Sequence, residues 1–79
     1  MQVRFKKQAI KYLSGCGKKT KKRLKEAIHS LPLGDVKKLK GYENYYRLRV
    51  GELRVLYTLE DENIIITDIL PRGEVYKRI

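Results

Sequence analysis

Three observations predict an α+β fold, ordered β-α-α-β-β-β, with a helical hairpin packed on one face of a small antiparallel sheet. Apolar residues recur at helical spacing through the first half of the chain. From Tyr45 onward the period changes to two. A glycine-led two-residue turn, Gly51-Glu52, then joins two alternating stretches. The 79 residues make one domain, 1–79, with no room for a second. A chain of this size buries only about 60% of the surface its unfolded form exposes, so a deep pocket around a large cofactor is not expected.

Val3 and Phe5 suit a short first strand. Ala9, Tyr12, Leu13 and Cys16 follow at i, i+3, i+4 and i+7, the stripe of an amphipathic helix that Gly15 and Gly17 break. A second stripe, Thr20, Leu24, Ala27, Ile28 and Leu31, carries lysines on its outer side and is stopped by Pro32 and Gly34. Tyr46, Leu48 and Val50 then face one way, and Tyr45, Arg47 and Arg49 the other. Past the Gly51-Glu52 turn, read as type II′, Leu53, Val55, Tyr57 and Leu59 oppose Arg54, Leu56 and Thr58. A polar turn over residues 60–63 leads into Ile64–Ile69, apolar on both faces and therefore a central strand.

Nineteen basic residues against nine acids give a net charge of +10, which points to a polyanionic partner, nucleic acid or an acidic protein segment. With 42% hydrophobic residues the chain is no disordered basic tail. Its longest apolar run, Ile64–Ile66, is far short of a membrane span, and residues 1–13 hold no apolar stretch of signal-peptide length. One cysteine and one histidine exclude an intramolecular disulfide and a zinc finger of Cys/His type. The cytoplasm is the expected compartment, with no membrane and no small-molecule cofactor.

The charge is divided along the chain. Residues 1–41 hold 13 of the 19 basic residues and two acids, a local charge of +11, which leaves 42–79 at −1. Eleven of the 12 lysines lie in the first part, whereas Arg47, Arg49, Arg54, Arg72 and Arg78 lie in the second. Lysine is a hydrated point charge, while the planar arginine fork grips a phosphate in two places.

The helices can cover only one face of the sheet, and the apolar set belongs under them. Arg47 and Arg49 then stand on the open face, about 7 Å apart at the rise of two strand residues. Arg54 joins them from the next strand if the hairpin register holds. Each arginine is alternatively a solvated residue paired with Glu43, Glu52 or Glu60. Three on one face, with no acid at matching strand positions, favour a phosphate site. Arg72 and Tyr76 emerge after the central strand, where Tyr76 can stack on a base, donate a proton, or simply dock on the core.

At these residues the chain resembles the RelE/ParE superfamily of toxins from bacterial toxin–antitoxin pairs. Lys38-Leu39-Lys40-Gly41, Tyr46-Arg47-Leu48-Arg49-Val50-Gly51 and Leu53-Arg54-Val55-Leu56-Tyr57 are similar to that family's "KLKG…YRLRVGDYRVIY" signature. Arg72-Gly73-Glu74-Val75-Tyr76 resembles its "HRKDVY" ending. The resemblance implies a RelE-like, microbial-ribonuclease-like fold. It further implies a metal-independent, ribosome-dependent endoribonuclease that cuts messenger RNA by attack of the ribose 2′-oxygen on the adjacent phosphate. Carried over by motif, Arg47, Arg49, Arg54, Arg72 and Tyr76 are the catalytic positions, and the partners are a cognate antitoxin, the ribosome and mRNA.

Two departures bear on the chemistry. Arginines replace the lysines of the better-known RelE pattern, and arginine is hardly deprotonated in a protein. Pro71 stands where the ending has histidine, which leaves Tyr76 as the first candidate for proton transfer and Asp35, in the loop leading into the sheet, as a weaker one. The lysine-rich segments 18–25 and 37–40 are either a solvated helix face or, as their one-sided charge favours, a contact to ribosomal RNA, with Lys37, Lys38, Lys40 and Tyr45 as RNA-binding residues. The competing functions are a ParE-like inhibitor of DNA gyrase, a plain RNA-binding module, and a toxin that has lost activity.

Overall fold

The computed structural model describes residues 2–31, 33–41 and 43–71. Seven elements follow one another: β1 (Val3–Phe5), α1 (Lys7–Ser14), α2 (Lys18–His29), β2 (Asp35–Lys38), β3 (Tyr45–Val50), β4 (Leu53–Glu60) and β5 (Asn63–Pro71). The sheet order is β1-β5-β4-β3-β2. Four strands form an antiparallel meander, and β1 adds in parallel to the far edge beside β5. The layers are those the periodicity predicts, with one strand more than predicted: β2 occupies the stretch read as a loop into the sheet.

Each helix is held by a short apolar stripe rather than by a side-chain cap. Ala9 and Leu13 of α1, and Leu24 and Ile28 of α2, are buried at i, i+4 spacing. Thr20, at the head of the predicted stripe, stays exposed. The helix α1 lies against β5 and α2 against β3. Beneath them Leu48, Val50, Val55, Tyr57, Ile64, Ile66 and Ile69 complete the main core. Tyr46 and Tyr57 stack across β3 and β4, with ring centroids 5.4 Å apart and planes 16° from parallel.

Two turns set the register of the meander. Gly51 has φ +60 and Glu52 does not, the pattern of the predicted type II′ turn, and Val50 pairs Leu53 across it. Asp61 and Glu62 are both left-handed, φ 48 and 67, as in a type I′ turn, and Glu60 pairs Asn63. A bulge at Thr67 then shifts the alternation of β5, because Tyr57 pairs Ile66 whereas Leu56 pairs Asp68. Ile66 and Ile69 therefore share the covered face although three positions apart, and Asp68 and Leu70 turn to the open one.

Candidate nucleic-acid interface on the open sheet face

Register alone assigns the residues of the uncovered face. One row crosses β2 to β5 as Asp35, Arg49, Arg54 and Leu70; the next runs Lys37, Arg47, Leu56 and Asp68. The structure therefore brings together Arg47, Arg49 and Arg54, as the alternation predicts. It also brings Lys37 to them, opposite Arg47. Lys38 is opposite Tyr46 and so belongs to the helix-covered side, separated from Lys37 by the sheet. Lys40 follows the strand and lines a shallow groove with Lys38, Leu39 and Glu43.

The face is not wholly polar. Leu56 and Leu70 are buried on it and gather Leu39 and Tyr45 into a second small apolar cluster. Tyr45 shares a 3.1 Å hydrogen bond with the Thr67 hydroxyl, which also donates to the Leu56 carbonyl at 3.2 Å. This strand tyrosine is thus anchored at the bulge, and it packs as a half-buried core residue. This apolar cluster lies beside the arginines and backs the strands that carry them, with Leu56 and Leu70 themselves buried.

The arginines are held in different ways. Arg54 Nη1 donates to the carbonyls of Gly51 and Leu53, both at 3.0 Å, so its guanidinium is tied to the hairpin end. Arg47 has only 19% of its side chain exposed and Arg49 has 54%. Both turn toward one carboxylate: Arg47 Nη2 lies 3.7 Å from Asp35 Oδ1, and Arg49 Nη1 lies 4.0 Å from Asp35 Oδ2. Two sequence-based expectations are corrected here. The face does hold an acid at a matching strand position, and the partner of Arg47 and Arg49 is Asp35 rather than Glu43, Glu52 or Glu60. The reason is β2, whose pairing lifts Asp35 out of a loop and places it opposite Arg49.

On the other side of the molecule Lys18, Lys21, Lys22 and Lys25 recur at i, i+3, i+4 and i+7 along α2 and, with His29, line one groove. Like charges at these spacings repel by roughly 0.2–0.5 kcal/mol per pair. Glu26 is the one acid lining the same groove, so four lysines face a single carboxylate there and the stripe keeps a net positive charge. His29 sits at the end of α2, away from the arginine face, as predicted. Among the described residues no three His, Cys, Asp or Glu side chains are grouped closely enough to hold a metal ion. Arg72 and Tyr76 lie outside the described residues.

The profile of the family described as "ParE toxin of type II toxin-antitoxin system, parDE" matches residues 3–76. Toxin RelE3 of Methanocaldococcus jannaschii is 35% identical, with 96% of both chains covered. Among solved structures, the RelB–RelE antitoxin–toxin complex from Methanococcus jannaschii aligns with a TM-score of 0.79 at 34% identity, over 98% of this chain and 99% of that one. The archaeal RelE–RelB complex from Pyrococcus horikoshii OT3 aligns with a TM-score of 0.74 at 31% identity, over 91% and 94%.

Proposed function

The chain belongs to the RelE/ParE family of toxins of type II toxin–antitoxin systems, and from that membership we propose that it is an endoribonuclease cutting messenger RNA on the ribosome. The observation that carries this reading is the open sheet face, where the strand register brings Arg47, Arg49 and Arg54 onto one surface. In the proposed reaction the ribose 2′-hydroxyl gives up its proton as its oxygen bonds to the adjacent phosphorus. The bond from phosphorus to the 5′-oxygen breaks, and that oxygen takes a proton. Negative charge builds on the phosphoryl oxygens between these events. Fixed guanidinium groups aimed there lower the barrier, and such electrostatic stabilisation is usually the largest catalytic contribution.

Arg47 and Arg49 are the phosphate ligands in this scheme, and Arg54, held by the hairpin carbonyls, adds fixed positive charge beside them. Arg72 joins the clamp and Tyr76 transfers a proton, by their match to the family's terminal motif. The lysine stripe of α2 faces away from this chemistry. Its net positive charge suits a long RNA backbone, so ribosomal RNA is assigned to it and the scissile strand to the sheet. A cognate antitoxin is the protein partner, and the two archaeal RelE structures above are complexes with RelB antitoxins. Charge complementarity to a +10 surface calls for an acidic one.

Primer extension tests the reading. A reporter message translated in the presence of the protein is expected to show new 5′ ends in phase with codons. Cuts on naked RNA at the same rate would remove the ribosome from the scheme. The family profile favours a second reading, inhibition of DNA gyrase as in the ParE branch. Loss of DNA supercoiling with no RNA cleavage would establish that one instead.

A further inference from the structure

A net charge of +10 leaves few acids to spare, yet one of them stands on the edge strand of the arginine face, opposite Arg49. Asp35 extends one oxygen toward Arg47 and the other toward Arg49, at 3.7 and 4.0 Å. Two oxygens sharing one negative charge, divided between two guanidinium groups, is also what a phosphodiester offers. Both distances exceed the roughly 2.7–2.9 Å of a charge-assisted hydrogen bond, so the carboxylate attracts the arginines without locking them. It is 58% exposed and free to swing away.

We propose that Asp35 is an internal substitute for the substrate phosphate, which holds Arg47 and Arg49 until a phosphodiester displaces it. The inference rests on the RNA-cleavage reading and adds a specificity determinant to it. A phosphate arriving from solution competes with a carboxylate tethered beside the arginines at high effective concentration. Loose RNA therefore binds poorly. A strand already held in place by a larger assembly carries its own effective concentration and displaces the carboxylate. Asp35 thus raises the local RNA concentration needed to fill the site, a threshold that a presented strand passes and loose RNA does not. The residue owes its place to Gly34 at φ +117, which turns the chain into β2, and to the Asp35–Arg49 register.

The test is binding of a labelled, uncleavable 2′-O-methyl oligoribonucleotide to the full chain. Asp35→Asn is expected to tighten binding about three- to tenfold, the scale of two exposed ion pairs. Asp61→Asn removes the same charge at the opposite end of the sheet, about 20 Å away at the strand rise, and corrects for net charge. The gain of Asp35→Asn over Asp61→Asn should vanish when Arg47 and Arg49 are both alanine. Equal tightening by the two asparagine variants would overturn the proposal, as would a gain that survives loss of the arginines. Weaker binding by Asp35→Asn would overturn it too, by making Asp35 a support for the arginines. If neither the wild type nor Asp35→Asn binds the oligonucleotide, the RNA reading itself fails.

Discussion

Arg49 and Arg54 stand directly opposite each other across β3 and β4, so two positive charges share one register position on the open face. Like charges so placed destabilise a sheet by a few tenths of a kcal/mol or more. Asp35 offsets little of this, because an exposed ion pair at 4.0 Å is worth about 0–1 kcal/mol. A fold selected for stability alone would place a threonine or valine there.

The expected outcome of Arg49→Gln follows. Chemical denaturation should give unchanged stability, or a gain of about 0.5 kcal/mol. Cleavage of translated message should fall at least about tenfold. A variant that unfolds more readily would assign Arg49 a structural role.

Gly51 is the second position where a small change has a definite cost. Its φ of +60 is left-handed, and a Cβ there would lie 3.0 Å from the Arg23 guanidinium. The backbone term is about 1–2 kcal/mol for an L-residue. The steric term is small, since Arg23 ends in a flexible head that can move. Gly51→Ala should therefore lose about 1–2 kcal/mol, and Arg23→Ala should recover little of it. Recovery of most of the loss in the double variant would show that the contact, and not the dihedral, dominates.

Legibility in the sequence followed side-chain pattern and failed where backbone pairing decided. The alternation over residues 45–59 marks β3, β4 and their arginine face, because every second side chain there is apolar and buried against the helices. Asp35–Lys38 shows no such pattern: one apolar residue, Val36, among three charged ones. Its edge position is held by hydrogen bonds to β3, which any residue except proline can make. Missing β2 put Asp35 in a loop, as a weaker candidate for proton transfer, and so hid its place opposite Arg49 and the ion pairs of the site. The bulge at Thr67 is hidden for the opposite reason. A run apolar on both faces reads the same with or without one extra residue, so the turn of Asp68 toward the arginines had no signal.

Tyr57 links the core to pH. Burial, and then the neighbouring Tyr46 hydroxyl, raise its pKa above the ordinary 10.0. The folded state thus holds the phenolic proton more tightly than the unfolded chain does. This contribution is complete below pH 10.0 and is lost as pH rises through the higher folded value. Thermal unfolding compared between wild type and Tyr57→Phe should show the wild type losing stability faster above that pH. Parallel curves would contradict the assignment, since every other side chain is common to both proteins.

The central claim is a division of labour between the lysine helix and the arginine sheet. It is tested most directly by measuring ribosome cosedimentation and message cleavage on two variants of equal charge. One carries Arg47→Gln and Arg49→Gln; the other carries Lys18→Gln and Lys22→Gln on α2. The sheet variant is predicted to cosediment with ribosomes as the wild type does while losing at least about a hundredfold in cleavage. The helix variant is predicted to lose cosedimentation and to regain cleavage when ribosomes are in excess. Equal losses of both activities in the two variants would mean that only total charge matters, and would contradict the account.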